Sequence, residues 1–175
     1  MKKLRFSLLS LAVAAALLLP ALPARAEGLE VTAPSAVLME ASTGRVLFEK
    51  DLHALRSCAS ITKVMTLCLV FQALDSGKLS LDQTLTASAH AASMGGSDIW
   101  LEEGEAMSVD DLIKATVIMS ANDAAVVLAE AVSGSEEAFV AQMNEKAQQL
   151  GMNDTVFKNC NGLDEEGHVT SAYDV

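Results

Sequence analysis

The chain has 175 residues, of which 51% are hydrophobic, and a formal net charge of −11. The first 26 residues hold four basic residues and no acidic one, so residues 27–175 carry eight basic against 23 acidic residues. This acidic balance argues against nucleic acid as a partner and favours solubility.

The N-terminal segment has the pattern of a secretory signal peptide. A basic start at residues 2–5 precedes an apolar run, and Ala24–Ala26 is a small-x-small cleavage site. Pro20 and Pro23 interrupt the apolar run near its end, which disfavours the alternative of a membrane-spanning anchor. The pattern predicts export to the periplasm or to the outer face of the cytoplasmic membrane. Residues 27–175 are then the mature chain, long enough for one domain.

Two strands are predicted at the start of the mature chain. Ser35–Glu40 and Val46–Glu49 read as strands, and the turn-forming residues Ser42–Gly44 lie between them, so the pair is expected to form a hairpin. A two-stranded sheet is marginal in water. The hairpin is therefore expected to belong to a larger sheet.

The next predicted element is a helix that begins near Ser60 and ends near Asp75. From Ile61 to Leu74 apolar residues occupy nearly every position, which is typical of a helix buried on all sides. Ser60 and Lys63 lie in the first turn, three residues apart and so on the same face. A buried lysine is costly unless it has a partner or a task, so this turn is the first pointer to chemistry.

Five further elements are predicted from caps, turns and periodicity. They are a short strand (Thr84–Ser88), a helix capped by Ser108 and ending at Ser120–Asn122, an apolar helix (Asp123–Val132), an amphipathic helix (Glu136–Leu150), and a cap with one helical turn (Thr170–Val175). In the amphipathic helix one shared face holds Phe139, Val140, Met143, Ala147 and Leu150. One helical turn is not stable alone, so the fold is expected to continue past Val175.

The cysteines and histidines indicate neither a metal site nor a cofactor. Cys58 and Cys68 are about three helical turns apart, too far to form a disulfide with each other. Together with Cys160 they are expected to be free thiols, mostly buried. No pair of cysteines has metal-ligand spacing, and the three histidines are scattered along the chain.

Ser60 and Lys63 have the residue types and the spacing of a nucleophile and its base. A serine hydroxyl needs a base within hydrogen-bond reach, and burial together with the positive end of the helix dipole lowers the pKa of a lysine. Ser120 and Asn122 lie at a break between two apolar helices, where the serine can relay a proton and the amide can orient a bound amide. Each motif alone is a weak signal. The same residues also have explanations that involve no chemistry. Ser60 can be a helix cap, Lys63 a side chain that reaches water, and residues 120–122 a turn between two helices.

The residues around these motifs are more specific. The segments that matter are, in chain order, Ala59–Thr66, Gly96–Ser97, Ile118–Ala124, Asn161–Asp164 and Thr170–Asp174. Together they closely resemble the D-alanyl-D-alanine carboxypeptidases, which are low-molecular-mass penicillin-binding proteins and serine peptidases of the β-lactamase/transpeptidase-like superfamily. The resemblance covers nearly all of the mature chain.

The resemblance implies an α+β fold, with a helical lobe around the Ser60 helix and an N-terminal hairpin that belongs to an incomplete antiparallel sheet. It implies removal of the terminal D-alanine from peptidoglycan stem peptides through an acyl-enzyme, with β-lactams as covalent inhibitors. Ser60 would be the nucleophile and Lys63 its proton acceptor. Ser120 would carry the proton to the leaving group, and Asn122 would contact the substrate amide.

The sequence departs from that family in one respect. In that family the third motif, Lys-Thr-Gly, lies on a later strand, binds the substrate carboxylate and completes the oxyanion hole. This motif does not occur in these 175 residues. The chain is therefore expected to be the N-terminal part of an enzyme, with the later strands and any C-terminal membrane-binding segment outside it. A catalytically dead fragment or a non-catalytic envelope scaffold that binds peptidoglycan is the alternative.

The related β-lactamases are a further alternative. They share Ser-x-x-Lys but need a glutamate for deacylation, and no Glu-x-x-x-Asn follows Ser120. Slow deacylation of β-lactams, and hence inhibition by them, is the expectation.

Overall fold

The computed structural model describes residues 29–175, so the predicted signal peptide at residues 1–26 lies outside the described residues. The described helices include none that is both long and apolar enough to cross a membrane. Residues 32–175 form one unit.

The described residues contain five α-helices and six short strands. The helices are α1 (Thr62–Asp75), α2 (Ala89–Ala92), α3 (Val109–Lys114), α4 (Asn122–Ser133) and α5 (Glu136–Gln149). The strands are β1 (Ala36–Met39), β2 (Val46–Lys50), β3 (Arg56–Ser57), β4 (Thr84–Thr86), β5 (Ala106–Ser108) and β6 (Val169–Thr170). They form three antiparallel two-stranded sheets, β1 with β2, β3 with β6, and β4 with β5.

Helix α4 lies at the centre of the helical lobe. Its residues from Asn122 to Ala129 are all buried, and it packs against α1, α2, α3 and α5. Three of its buried residues are alanines, whose small side chains let neighbouring helices approach closely. The partners contribute larger groups, including Phe139 and Met143 of α5, both fully buried. The core therefore forms around the helix that begins at the predicted Ser120–Asn122 break.

Local chemistry sets the element boundaries much as the sequence predicts. The β1–β2 hairpin is confirmed, with Val37 opposite Glu49. The Ser108 hydroxyl accepts the Asp111 N–H at the start of α3, and the Ser135 hydroxyl accepts the Ala138 N–H at the start of α5. Each serine satisfies a backbone donor that the helix itself leaves unpaired.

Two predictions about burial are wrong. Helix α1 was expected to be buried on all sides, but Ile61, Val64 and Phe71 are exposed, Val64 by 69%. The other side of α1 packs against α4 and α5, and no described element covers this side. Leu150 was placed on the buried face of the last helix, yet it lies past the end of α5 and is exposed. Apolar periodicity predicts a helix, but it does not show how many sides of the helix pack against other elements.

The helix before Ser120 changes its pitch, which the sequence does not predict. Residues Ala115–Met119 form a π-helical segment that ends at Ser120, with φ of 56°. Val117 and Ile118 are exposed although they are apolar, and the polar Thr116 is buried. The Thr116 hydroxyl donates to the Leu112 carbonyl at 2.8 Å, which satisfies a polar group inside the lobe. Such π-helical turns are rare in proteins, and those that are found often lie at functional sites.

The C-terminal turn is held by a carboxylate. The Val175 N–H donates to the Ser171 carbonyl at 3.1 Å, which is the single helical turn that the sequence predicts. Asp174 Oδ2 accepts hydrogen bonds from the Asp154 N–H and the Thr155 hydroxyl, both at 2.7 Å. Strand β6 just before it was missed, because two residues carry no periodicity to read.

Candidate active site

The structure places the hydroxyl of Ser60 beside the amine of Lys63. Ser60 lies in a 3₁₀ turn, Ala59–Ile61, that leads directly into α1, and Lys63 is the second residue of α1. Lys63 Nζ is 3.4 Å from Ser60 Oγ. The three-residue spacing therefore brings the two groups onto one face at the start of the helix.

The Lys63 amine is buried among neutral oxygens. The residue is only 4% exposed, and Nζ donates to Asn122 Oδ1 at 2.7 Å and to the Asn161 carbonyl at 2.6 Å. None of the ion pairs among residues 29–175 includes Lys63. Burial penalises the charged form and lowers the pKa of the amine below its ordinary value, and the nearby Cys160 opposes this only in part.

Asn122 uses both ends of its side-chain amide inside the protein. Its Oδ1 accepts from Lys63, and its Nδ2 donates to the Gly95 carbonyl at 2.7 Å. Its backbone N–H donates to the Ser97 carbonyl, also at 2.7 Å. The sequence suggested a contact between Asn122 and the substrate, but it did not predict that Asn122 holds the lysine.

Ser120 is close in the chain but makes no hydrogen bond to the other three side chains. It has a left-handed backbone, and its Oγ is buried with no partner within residues 29–175. Both features cost free energy, since non-glycine residues rarely adopt this conformation and a buried hydroxyl normally has a partner. The site thus joins Ser60, Lys63 and Asn122 by hydrogen bonds and leaves the Ser120 hydroxyl unused.

A loop that the sequence did not single out for chemistry completes the site. It is the segment 159–162, whose Asn161 carbonyl accepts from Lys63, while the Cys160 carbonyl accepts from the Thr66 hydroxyl at 2.6 Å. Backbone carbonyls occur in every residue, so no residue type marks these two acceptors. The resemblance included Asn161 and Gly162, and it was the only available signal.

Gly162 packs against the backbone of the serine turn. Its φ is +92°, and a Cβ built there would be 2.0 Å from the Ala59 carbonyl oxygen and 3.0 Å from the Ser60 nitrogen. Ala59 itself has a φ of 44°, an uncommon conformation for a residue with a side chain. The position of Ser60 therefore depends on a direct backbone contact that only glycine permits.

Glu136 fixes this loop from its other side. Its carboxylate accepts the Cys160 N–H at 3.0 Å and bonds His90 Nε2 at 2.6 Å. Burial alone would raise the pKa of Glu136, but the hydrogen bonds from Cys160 and His90 outweigh burial and hold the pKa below its usual value. The carboxylate is therefore charged at neutral pH and holds the Cys160–Asn161 backbone in place.

A buried histidine supports the start of α1. The Lys158 N–H donates to His168 Nδ1 at 3.2 Å, so the ring hydrogen is on Nε2, which lies 2.8 Å from the Thr62 hydroxyl. Burial lowers the pKa of His168, which favours this neutral form. Thr62 lies between Ser60 and Lys63, so the histidine restrains the turn that carries both groups.

The arrangement has the parts needed for nucleophilic catalysis. A hydroxyl lies beside an amine whose pKa is lowered, and a second hydroxyl without a partner lies at the start of the neighbouring helix.

The three cysteines are free, with Cys58 and Cys160 buried and Cys68 half-buried. Within residues 29–175 no group of three His, Cys, Asp or Glu side chains is placed to hold a metal ion.

We predict that Gly162→Ala destabilises the protein more than Gly134→Ala does. Both glycines have a positive φ, but a Cβ at Gly134 would meet nothing within 4 Å. The control should lose about 1–2 kcal/mol of unfolding free energy from backbone strain, and Gly162→Ala about 2–5 kcal/mol because overpacking adds to strain. Denaturant unfolding measures both. Equal losses would show that the loop does not press on the serine turn.

The sequence of residues 22–175 matches the family model described as D-alanyl-D-alanine carboxypeptidase. Among curated proteins, the chain is 52% identical over 143 residues to the D-alanyl-D-alanine carboxypeptidase DacF of Bacillus subtilis, covering 82% of this chain and 37% of that protein. It is 38% identical over 152 residues to DacD of Escherichia coli, covering 83% and 39%. The chain thus spans about two fifths of the length of these relatives.

Comparison with solved structures confirms that this chain has the α+β fold of the penicillin-binding proteins. The D-alanyl-D-alanine carboxypeptidase DacD from Francisella tularensis superposes with a TM-score of 0.85 at 37% identity, over 92% of this chain and 39% of that one. The penicillin-binding protein D2 from Listeria monocytogenes, in its ampicillin-bound form, gives a TM-score of 0.73 at 32% identity, over 83% and 59%. The chain belongs to the D-alanyl-D-alanine carboxypeptidase family.

Proposed function

We propose that the protein acts as a serine-type D-Ala-D-Ala carboxypeptidase that removes the terminal D-alanine from peptidoglycan stem peptides. The observation that carries this proposal is the Lys63 amine, buried among neutral acceptors and 3.4 Å from Ser60 Oγ. A neutral amine has two N–H donors and one lone pair. Asn122 Oδ1 and the Asn161 carbonyl take the two donors, so the lone pair is left for the Ser60 hydroxyl.

Acylation follows from this arrangement. Ser60 Oγ attacks the carbonyl carbon of the penultimate D-alanine while its proton passes to Lys63. The C–N bond then breaks, and the departing D-alanine amine takes a proton delivered through the Ser120 hydroxyl. Water afterwards hydrolyses the Ser60 ester, which releases the shortened peptide and restores the free serine. Asn122 contacts the substrate amide when the peptide is bound.

β-Lactams would react with the same serine. Their strained amide offers the same carbonyl to Ser60, and opening of the ring leaves an ester on Oγ. The relative from Listeria monocytogenes was solved in ampicillin-bound and cefotaxime-bound forms, which supports this part of the proposal. The lack of a Glu-x-x-x-Asn after Ser120 supports slow hydrolysis of that ester and therefore inhibition.

The substrate lies outside the cytoplasm, and the N-terminal sequence supports export to it. Residues 1–26 have the basic start, apolar run and small-x-small site of a signal peptide. An exported enzyme that trims stem peptides would act in cell-wall biogenesis and in the maintenance of cell shape.

A fluorescent penicillin tests the proposal. The wild type should be labelled covalently and Ser60→Ala should not be, because the ester forms on Ser60 Oγ. Ser57→Ala is a matched control, since Ser57 lies three residues earlier, is exposed and only donates to Asp164. Labelling is read on a denaturing gel. A wild type that is never labelled would favour a catalytically dead fragment or a non-catalytic scaffold, and a labelled Ser60→Ala variant would place the ester elsewhere.

The rate of labelling should rise with pH. Only the neutral amine accepts the Ser60 proton, and burial lowers the pKa of Lys63, so the rise should be centred below the pH at which an exposed lysine loses its proton. Stopped-time labelling across pH 6–10, about one point per half unit, gives the profile. Circular dichroism at each pH controls for unfolding. A rate that falls over this range would contradict proton transfer to Lys63.

Ser120→Ala should slow acylation while Ser133→Ala should not. Both hydroxyls are buried without a partner in the described part of the chain, so each variant removes the same chemical group without breaking a hydrogen bond seen there. The proposed mechanism assigns a proton relay to Ser120 and no role to Ser133, and loss of a general acid or base costs about 10²–10⁴ in rate. The second-order rate constant for penicillin labelling measures it. Equal effects in the two variants would remove Ser120 from the mechanism.

A further inference from the structure

The peptide group that joins Asn161 to Gly162 contacts both members of the reactive pair. Its carbonyl oxygen, on Asn161, accepts from Lys63 Nζ at 2.6 Å. Its other end lies against the turn that carries Ser60, where a Cβ on Gly162 would be 2.0 Å from the Ala59 carbonyl oxygen. The orientation of this one peptide group therefore affects both the amine and the turn of the nucleophile.

Asn159 holds the same peptide group by its N–H. The Oδ1 atom of Asn159 accepts the Gly162 N–H at 2.7 Å, and Nδ2 donates to the Leu163 carbonyl at 2.9 Å. The N–H and C=O of a peptide group lie in one plane and point in opposite directions, so the bond to Oδ1 fixes the direction of the carbonyl that Lys63 uses. A hydrogen bond to the N–H also polarises the carbonyl and makes it a better acceptor.

Two other contacts on this loop act on neighbouring peptide groups. The Glu136 carboxylate accepts the Cys160 N–H at 3.0 Å, and the Cys160 carbonyl accepts from the Thr66 hydroxyl at 2.6 Å. These contacts fix where the loop lies. Asn159, by contrast, bonds the peptide group that itself carries the acceptor of Lys63.

The second acceptor of Lys63, Asn122, is held by a different segment. Asn122 Nδ2 donates to the Gly95 carbonyl at 2.7 Å. The carboxylate of Asp123, the next residue, accepts two N–H groups further along that segment, those of Ile99 at 3.1 Å and Leu101 at 3.0 Å. These contacts do not involve residues 159–162, so a substitution at position 159 acts on the amine through the loop.

We infer that Asn159 is a positioning residue, which directs the Asn161 carbonyl at the Lys63 amine. With that carbonyl and the Asn122 oxygen on its two N–H groups, the neutral amine keeps its lone pair towards Ser60. The inference rests on the proposed function for the role of Lys63 as the base, and it adds the residue that orients this base. Asparagine also closes turns with no further role, and that alternative predicts a different result.

The limiting rate of penicillin labelling at the upper end of the pH profile measures the position of the neutral amine. Asn159→Ala removes the acceptor and should lower this rate constant by about 10- to 100-fold, as misplacement of a reacting group does. Asn159→Asp keeps an oxygen for the Gly162 N–H and loses the donor to Leu163, so it should retain most of the rate. Asn153→Ala, at an exposed asparagine just before the loop, is the control and should change nothing.

The pKa of Lys63 is a second readout, and it needs no turnover. Protein with ¹³C at lysine Cε is titrated by NMR, and the Lys63 signal is identified by its loss in Lys63→Arg. A carbonyl bonds the charged amine more strongly than the neutral one, so Asn159→Ala should lower the pKa of Lys63. Asn159→Asp should raise this pKa, because it adds a negative charge within about 8 Å of Nζ.

The titratable groups around the loop are present in every variant. The pKa of the Cys160 thiol, which faces Lys63, is raised well above its usual value, chiefly by burial, so the thiol is neutral near pH 7. The others are Glu136, His90, Asp164, Glu165 and His168. Their titration is a background that all the variants share, so it does not produce the opposite shifts expected for the two substitutions.

A lower limiting rate in Asn159→Ala that Asn159→Asp restores, with opposite shifts in the pKa of Lys63, supports the inference. If Asn159 only closes its turn, Asn159→Ala loses stability while the rate constant and the pKa stay at their wild-type values, and the inference is overturned. Thermal unfolding identifies a variant that does not fold. Should Asn159→Ala be one, Asn159→Asp decides: a retained rate with a raised pKa supports the inference, and an unchanged pKa overturns it.

The two readouts keep the two proposals apart. If the wild type is never labelled by penicillin while the substitutions at Asn159 shift the pKa of Lys63 as expected, the carboxypeptidase proposal fails and the positioning of the amine stands. If the wild type is labelled and neither substitution changes the rate or the pKa, the positioning role fails and the carboxypeptidase proposal stands.

Discussion

The site depends on keeping one amine out of water without an ion pair. Placing a lysine charge inside a protein is costly, and a carboxylate partner would lower that cost but would hold the proton on nitrogen. Here the partners of Lys63 are an amide oxygen and a backbone carbonyl, which hydrogen-bond the amine in either protonation state. Burial of Lys63 therefore costs the protein stability, and it gives an amine of lowered pKa beside Ser60.

The two acceptors of Lys63 come from segments far apart in the chain, and each is fixed by a carboxylate, which is half-buried in Glu136 and buried in Asp123. Glu136 holds the backbone that presents the Asn161 carbonyl, and Asp123 holds the segment whose carbonyls orient Asn122. Both carboxylates act mainly through backbone N–H groups, which are strong and directional donors. The helical lobe thus fixes the geometry of the hydrogen bonds around Lys63 through carboxylates that do not themselves contact the amine. This arrangement leaves the proton affinity of Lys63 set chiefly by burial.

Local patterns were enough to predict that Ser60 and Lys63 lie side by side, but not to predict their surroundings. Ser60 and Lys63 share a face because helical spacing demands it, and the caps at Ser108 and Ser135 follow from residue type. The Asn161 carbonyl, the close approach of Gly162 and the hydrogen bonds to Asp123 are contacts between distant segments. All three involve backbone atoms, which every residue has. The burial of α1 was predicted wrongly for the same reason, since apolar periodicity does not show which other elements pack against a helix.

Backbone strain is a further feature that arises from contacts between distant segments and not from local sequence. Among the described residues, the non-glycine residues with a positive φ are Asp51, Ala59, Trp100 and Ser120. Ala59 precedes Ser60, and Ser120 is two residues before Asn122. Strain of this kind costs about 1–3 kcal/mol per residue and survives only where packing overrides local preference. The strain at Ala59 and Ser120 therefore indicates that the lobe stabilises a particular arrangement of the backbone beside Ser60 and Asn122, at the expense of local conformational preference.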